Sequence, residues 1–133
     1  MKTVLTFGVF DMMHIGHVIL FEKAQKLGDR LIVAVQDDET VLKYKPEAKL
    51  IYNTQERIYM VSSVRYVDEA IVYSDVDSDI QKVDFDIFAI GEDQLHKGFQ
   101  NAVEWCENHG KVVIRIPRTE NISSTILRDY KKL

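Results

Sequence analysis

Short, strand-sized apolar runs alternate with segments of helical period along this chain, and that alternation limits the fold more than any other feature. Lys2–Phe7 is β-branched and apolar and reads as a buried strand. Ile15–Leu27 carries apolar residues at 15, 18, 19, 21, 24 and 27, a helical spacing. Gly28 stands where a left-handed C-terminal cap belongs. Arg30–Val35 is a second strand, too short for a helix, and residues 37–52 are polar and irregular, which predicts a long loop. Asn53 with Glu56 three residues on matches a reciprocal N-cap and opens a helix from Thr54 to about Ser63. Asp68–Val72 is a third strand, Ile80–Val83 a small helical segment, and Ile87–Ile90 a fourth strand ending at Gly91. Phe99–Asn108 is helical with Gly110 as its stop, and Val112–Ile116 is a fifth strand halted by Pro117. Ser123 or Ser124 caps a last helix to about Lys131.

Strands alternating with helices demand right-handed crossovers and a parallel sheet covered on both faces. The expected fold is therefore α/β: a doubly wound parallel sheet of about five strands, Rossmann-like, forming one domain over residues 1–133. Such sheets bind ligands beyond the C-terminal strand edges, where the strand order switches. Candidate site residues are then those after strands one, two, four and five.

Composition narrows the function classes. A net charge of −4 argues against a chain built to coat nucleic acid. Cys106 is the only cysteine, which leaves no intrachain disulfide or thiolate cluster and fits a reducing, cytoplasmic setting. No apolar run is long enough to span a bilayer, and the N-terminus lacks the layout of a signal peptide.

The chemistry concentrates between strand one and the first helix, in Gly8-Val9-Phe10-Asp11 and His14-Ile15-Gly16-His17. Gly8 permits a sharp turn, and Gly16 lets a ligand or another backbone approach closely. The first helical turn has unpaired N–H groups that attract anions. Imidazoles at i and i+3 share a face and add side-chain donors. Asp11 can hold the turn, accept from a ring nitrogen, or lie near a magnesium ion. A single histidine beside a helix cap is ordinarily structural, and zinc would need further ligands that the spacing does not supply. Strand, glycine turn, paired histidines and helix start together point to phosphate binding.

The same residues resemble the signature of the His-x-Gly-His nucleotidyltransferase superfamily. Arg65-Tyr66-Val67-Asp68-Glu69 and Arg118-Thr119-Glu120-Asn121-Ile122-Ser123-Ser124-Thr125 resemble motifs of its cytidylyltransferase branch, nearest to the bacterial glycerol-phosphate enzymes. Two segments depart from that pattern. Asn121 stands where those enzymes carry glycine, and Gly91-Glu92-Asp93-Gln94 stands where they carry an aspartate pair and a tryptophan. Both fall where acceptor and nucleotide pockets meet, so the resemblance speaks to the transfer reaction more than to the acceptor.

The resemblance implies transfer of CMP from CTP to a small phosphorylated alcohol, with Mg²⁺ on the phosphates and a homodimeric assembly. It implies catalytic roles for His14, His17, Lys45 and Arg118. Gly8, Val9, Phe10, Asp11, Gly16, Lys43, Gly91, Asp93, Arg118, Ser123, Ser124 and Thr125 would contact the nucleotide. Lys43, Lys45, Arg57 and Arg65 would contact the acceptor. Lys43 and Lys45, two apart in an extended loop, would face one site. No cluster of protein metal ligands is expected, because magnesium keeps much of its water shell on phosphates. The alternatives are adenylyl transfer from ATP and a non-catalytic nucleotide-binding protein.

Overall fold

The computed structural model describes residues 1–118. Five strands form one sheet, β1 (Thr3–Gly8), β2 (Arg30–Gln36), β3 (Glu69–Tyr73), β4 (Ile87–Gly91) and β5 (Val112–Ile116). All pairings are parallel, in the order β3-β2-β1-β4-β5. The helices are α1 (Ile15–Gln25), α2 (Asp38–Tyr44), α3 (Thr54–Ser62), α4 (Val76–Asp79) and α5 (Lys97–Asn108), with a 3₁₀ turn at Ile80–Lys82. The doubly wound α/β expectation holds.

Side chains alternate across the sheet, so each face has its own core. Leu5 and Phe7 of β1 pack with Phe88, Ile90, Phe99 and Cys106 on the face covered by α4 and α5. Val4 packs with Phe21, Ala24, Val33, Val35 and Val61 on the face covered by α1 and α3. Burying each such large aliphatic or aromatic side chain stabilises the fold by roughly 1.5–3 kcal/mol. Among the described residues no helix is long and apolar enough to cross a membrane.

The sheet opens at one place. β1 pairs with β2 along its length, from Thr3 opposite Arg30 to Gly8 opposite Val35. Its register with β4 covers only Val4 opposite Ile87 and Leu5 opposite Phe88. Beyond those pairs the two strands part, at the position where the strand order reverses, and a cleft forms there.

Two expectations about local structure fail. The stretch after β2 is not all loop: Asp37 caps α2, its carboxylate accepting the Thr40 N–H at 2.7 Å. Seven mostly polar residues give too little period to reveal a helix. Gly28 is not a left-handed cap, because α1 ends at a right-handed Lys26. Gly28 is needed for contact instead: a Cβ there would lie 2.7 Å from the Lys2 carbonyl oxygen. Gly110, after α5, does adopt positive φ, at 71°. The Asn53–Glu56 reciprocal cap is present, with bonds of 2.8 and 2.9 Å. The expected last helix lies outside the described residues.

Candidate active site

A cleft of about 650 Å³ lies over the C-terminal ends of β1, β4 and β5. Its walls bring together Gly8, Val9, Phe10, Asp11, His14, Gly16, His17, Lys45, Gly91, Asp93 and Arg118. Phe7, Leu20, Glu92, Gln94, Ile116 and Pro117 complete the lining.

The histidines are set by the start of α1. His14 is the N-cap, and its Nδ1 accepts the Gly16 N–H at 3.0 Å. His17 reaches back, its Nδ1 accepting the His14 N–H at 3.2 Å. A nitrogen that accepts an N–H carries no proton, so each neutral ring holds its hydrogen on Nε2. The rings stack with centroids 4.1 Å apart, and His17 meets the Phe10 ring edge-on. Burial pushes the His17 pKa down to about 4, helped by the charge His14 would carry. Burial also lowers the His14 pKa, and the Arg118 guanidinium lowers it further. Near neutral pH the pair therefore offers two uncharged Nε2–H donors.

The turn before α1 is tighter than Gly8 alone suggests. Gly8 ends the strand, and the left-handed residues are Phe10 at φ 57° and Met12 at φ 49°. Non-glycine residues held there store about 1–3 kcal/mol of strain each. The Phe10 ring covers Gly8 so closely that a Cβ would lie 2.5 Å from it. Asp11 holds the turn: its carboxylate accepts the N–H groups of Ile51 at 2.9 Å and Tyr52 at 3.0 Å.

Gln94 spans the parted strands. Its Oε1 accepts the Gly91 N–H at 2.9 Å and its Nε2 donates to the Phe7 carbonyl at 2.9 Å. Glu92 accepts the Arg118 N–H at 2.7 Å, which fixes the chain leaving β5. The reading from sequence singled out neither role. The available signal was their position just after Gly91, where a strand end meets the switch point.

The expected basic residues separate. Lys45 ends α2 and lines the cleft. Lys43 belongs to the last turn of α2, whereas Lys45 is its non-helical C-cap; Lys43 does not line the cleft, and its Nζ sits 5.4 Å from the Tyr44 ring centroid. The expectation that both lysines face one site is therefore corrected by the helix. Arg57 is fully buried and is not a cleft residue either. Its Nε donates to Tyr52 O at 3.1 Å, and its Nη1 to Val9 O at 2.9 Å and Gln36 O at 2.7 Å. Its Nη2 bonds the Asp38 carboxylate and reaches Thr54 Oγ1 at 3.5 Å. With all five N–H donors engaged, none is left for an acceptor phosphate. Arg65 precedes β3, at the opposite end of the sheet from the cleft, and stacks on Tyr66. Neither arginine, each expected to contact the acceptor, lines the cleft. Ser123, Ser124 and Thr125 lie outside the described residues.

Comparison with known proteins agrees with this arrangement. Residues 5–130 match the family model described as cytidylyltransferase-like. The chain belongs to the cytidylyltransferase-like family. This member is 36% identical over 132 residues to the glycerol-3-phosphate cytidylyltransferase of Bacillus subtilis, covering 97% of this chain and 96% of that protein. It is 37% identical over 119 residues to an FAD synthase of Thermococcus kodakarensis, covering 86% and 78% respectively. The crystal structure of a lipopolysaccharide core biosynthesis protein from Thermoplasma volcanium superposes with a TM-score of 0.77 at 28% identity, covering 90% of this chain and 99% of that one. The fold and family are those of nucleotidyltransferases.

Proposed function

We propose that this chain transfers CMP from CTP to a small phosphorylated alcohol, with glycerol 3-phosphate the leading acceptor, and releases pyrophosphate. The supporting observation is the pair of neutral imidazoles that begin α1 and line one cleft with Lys45 and Arg118. Neutral Nε2–H donors suit phosphate oxygens, and the positive end of α1 adds to their pull on an anion.

In this reading an acceptor phosphate oxygen attacks the α-phosphorus in line. The bond from that phosphorus to the bridging oxygen breaks, and pyrophosphate carries away the electron pair. The acceptor is already anionic, so no side-chain nucleophile is needed. His14 and His17 donate to oxygens of the transferring phosphate. Lys45 draws the two anions together, and Arg118 steadies the leaving group. Catalysis is positioning plus stabilisation of transition-state charge.

Magnesium belongs to this proposal as an ion borne by the phosphates. Among the described residues no group of three or more His, Cys, Asp or Glu is placed to hold a metal. Both Asp11 oxygens accept backbone N–H groups. That donor set fits an ion with few protein ligands, Asp93 being the rim carboxylate that would hold it. When bound it would neutralise phosphate charge. Ser123, Ser124 and Thr125 as triphosphate contacts, a homodimer and a cytoplasmic location complete the proposal.

The test is pyrophosphate release with CTP or ATP against a panel of small phosphomonoesters. CTP-dependent release with glycerol 3-phosphate supports the reading. Release with ATP alone would favour adenylyl transfer, the second reading, which the similarity to an FAD synthase motivates. His17→Ala should lower kcat by roughly 10²–10³, as loss of one transition-state donor does; unchanged kcat would remove His17 from the chemistry.

A further inference from the structure

Arg57 is the one fully buried charged side chain among the described residues. Burying a guanidinium costs several kcal/mol, and an apolar side chain of similar volume often serves stability as well or better. Its place in the fold therefore asks for a reason other than stability.

Its acceptors supply one. Val9 belongs to the turn that delivers His14 and His17. Gln36 and Asp38 flank the start of α2, whose C-cap is Lys45. Tyr52 lies on the return from Lys45 to α3. One planar side chain thus bonds both sides of the segment that carries Lys45 and the turn that carries the histidines. Asp11 closes the same seam from the other direction, by accepting the Ile51 and Tyr52 N–H groups.

We infer that Arg57 is a positioning residue that fixes Lys45 relative to the His14–His17 pair without touching substrate. The inference rests on the proposed roles of those three residues at the transferring phosphate. Only the rigid fork of arginine can do this. A lysine ammonium has three donors on one nitrogen and cannot span the Val9, Gln36 and Tyr52 carbonyls and the Asp38 carboxylate together.

The test is a double-mutant cycle of Arg57→Lys with Lys45→Ala, using CTP and glycerol 3-phosphate. Arg57→Lys alone should lower kcat by about 10- to 100-fold with KM for CTP changed less than about 3-fold. In the Lys45→Ala background the same change should cost less than about 3-fold, because there is no longer a lysine to misplace. Equal losses in both backgrounds would overturn the inference, since a purely structural residue gives additive effects. Hydrogen exchange reads the seam without activity: Arg57→Lys should speed exchange in residues 8–12 and 45–53 and leave β4, which holds none of the Arg57 acceptors, unchanged. Unaltered exchange in 45–53 would equally overturn it. If Arg57→Lys does not fold, Asp11→Asn weakens the seam from its other side and should show the same coupling to Lys45; additive losses there overturn the inference. A wild-type protein without pyrophosphate release would refute the proposed function, and the exchange arm would still decide the seam.

Discussion

His17 makes stability depend on pH in a direction opposite to a salt-bridged histidine. Its ordinary pKa of 6.5 falls to about 4 in the fold, first because the ring is buried and then because His14 is beside it. At pH 7.5 neither folded nor unfolded chain protonates it. As pH falls below 6.5 the unfolded chain takes up the proton while the folded chain does not, so stability is lost between about pH 6.5 and 4. Each pH unit is worth about 1.4 kcal/mol. The loss from this one group should reach about 2 kcal/mol at pH 5 and about 3 kcal/mol at pH 4. Protonating Nδ1 would also displace the bond from the His14 N–H. The perturbation is His17→Asn, which keeps an acceptor oxygen and removes the titration. Urea unfolding of both proteins at pH 7.5, 6, 5 and 4 gives the difference directly, because carboxylates titrate alike in each. The wild-type stability should fall relative to the variant by the amounts above. A difference constant to within about 0.5 kcal/mol, or a folded-state NMR titration of His17 centred near 6.5, would refute the reasoning.

Gly8→Ala drives a methyl into the Phe10 ring, at 2.5 Å from its nearest atom, and should cost about 1–3 kcal/mol by urea unfolding. Fluorescent-nucleotide affinity should fall with it, because Phe10 packs on His17. Gly28→Ala and Gly110→Ala separate contact from backbone strain. The first meets the Lys2 carbonyl oxygen at 2.7 Å and should lower the melting temperature more than the second, which meets nothing within 4 Å and bears only its positive φ, about 1–2 kcal/mol. The reverse order of the two melting temperatures would contradict the packing described. Cys106 is fully buried, and burial pushes its thiol up to about 11. An aromatic disulfide reagent at pH 8 should label it promptly in urea and slowly in native buffer; prompt native labelling would mean that α5 does not cover it.

The features legible along the chain were those written in short spans. Apolar patterning located all five strands and the helices α1 and α5 close to their observed ends. The Asn53–Glu56 pair marked the start of α3 because both partners of the cap lie within four residues. Phe10 shows the limit: its left-handed φ has no local signature in an aromatic residue, since the burial that enforces it comes from Phe21 and His17 packed against it. The short α2 was invisible for a different reason. It draws its stability from Asp37, Ser74 and Arg57, which meet only when β2, β3 and α3 are in place. With α2 unseen, Lys43 and Lys45 could not be told apart. Arg57 reads as a phosphate ligand by family resemblance, whereas in the fold its donors are occupied by the carbonyl of Tyr52, five residues upstream, and by those of Val9 and Gln36 from two distant segments. Strand order and the parting of β1 from β4 belong to the same class. Periods and caps are settled by neighbours a few residues away, whereas burial, donor occupancy and the cleft itself arise from contacts between segments that the chain order keeps apart.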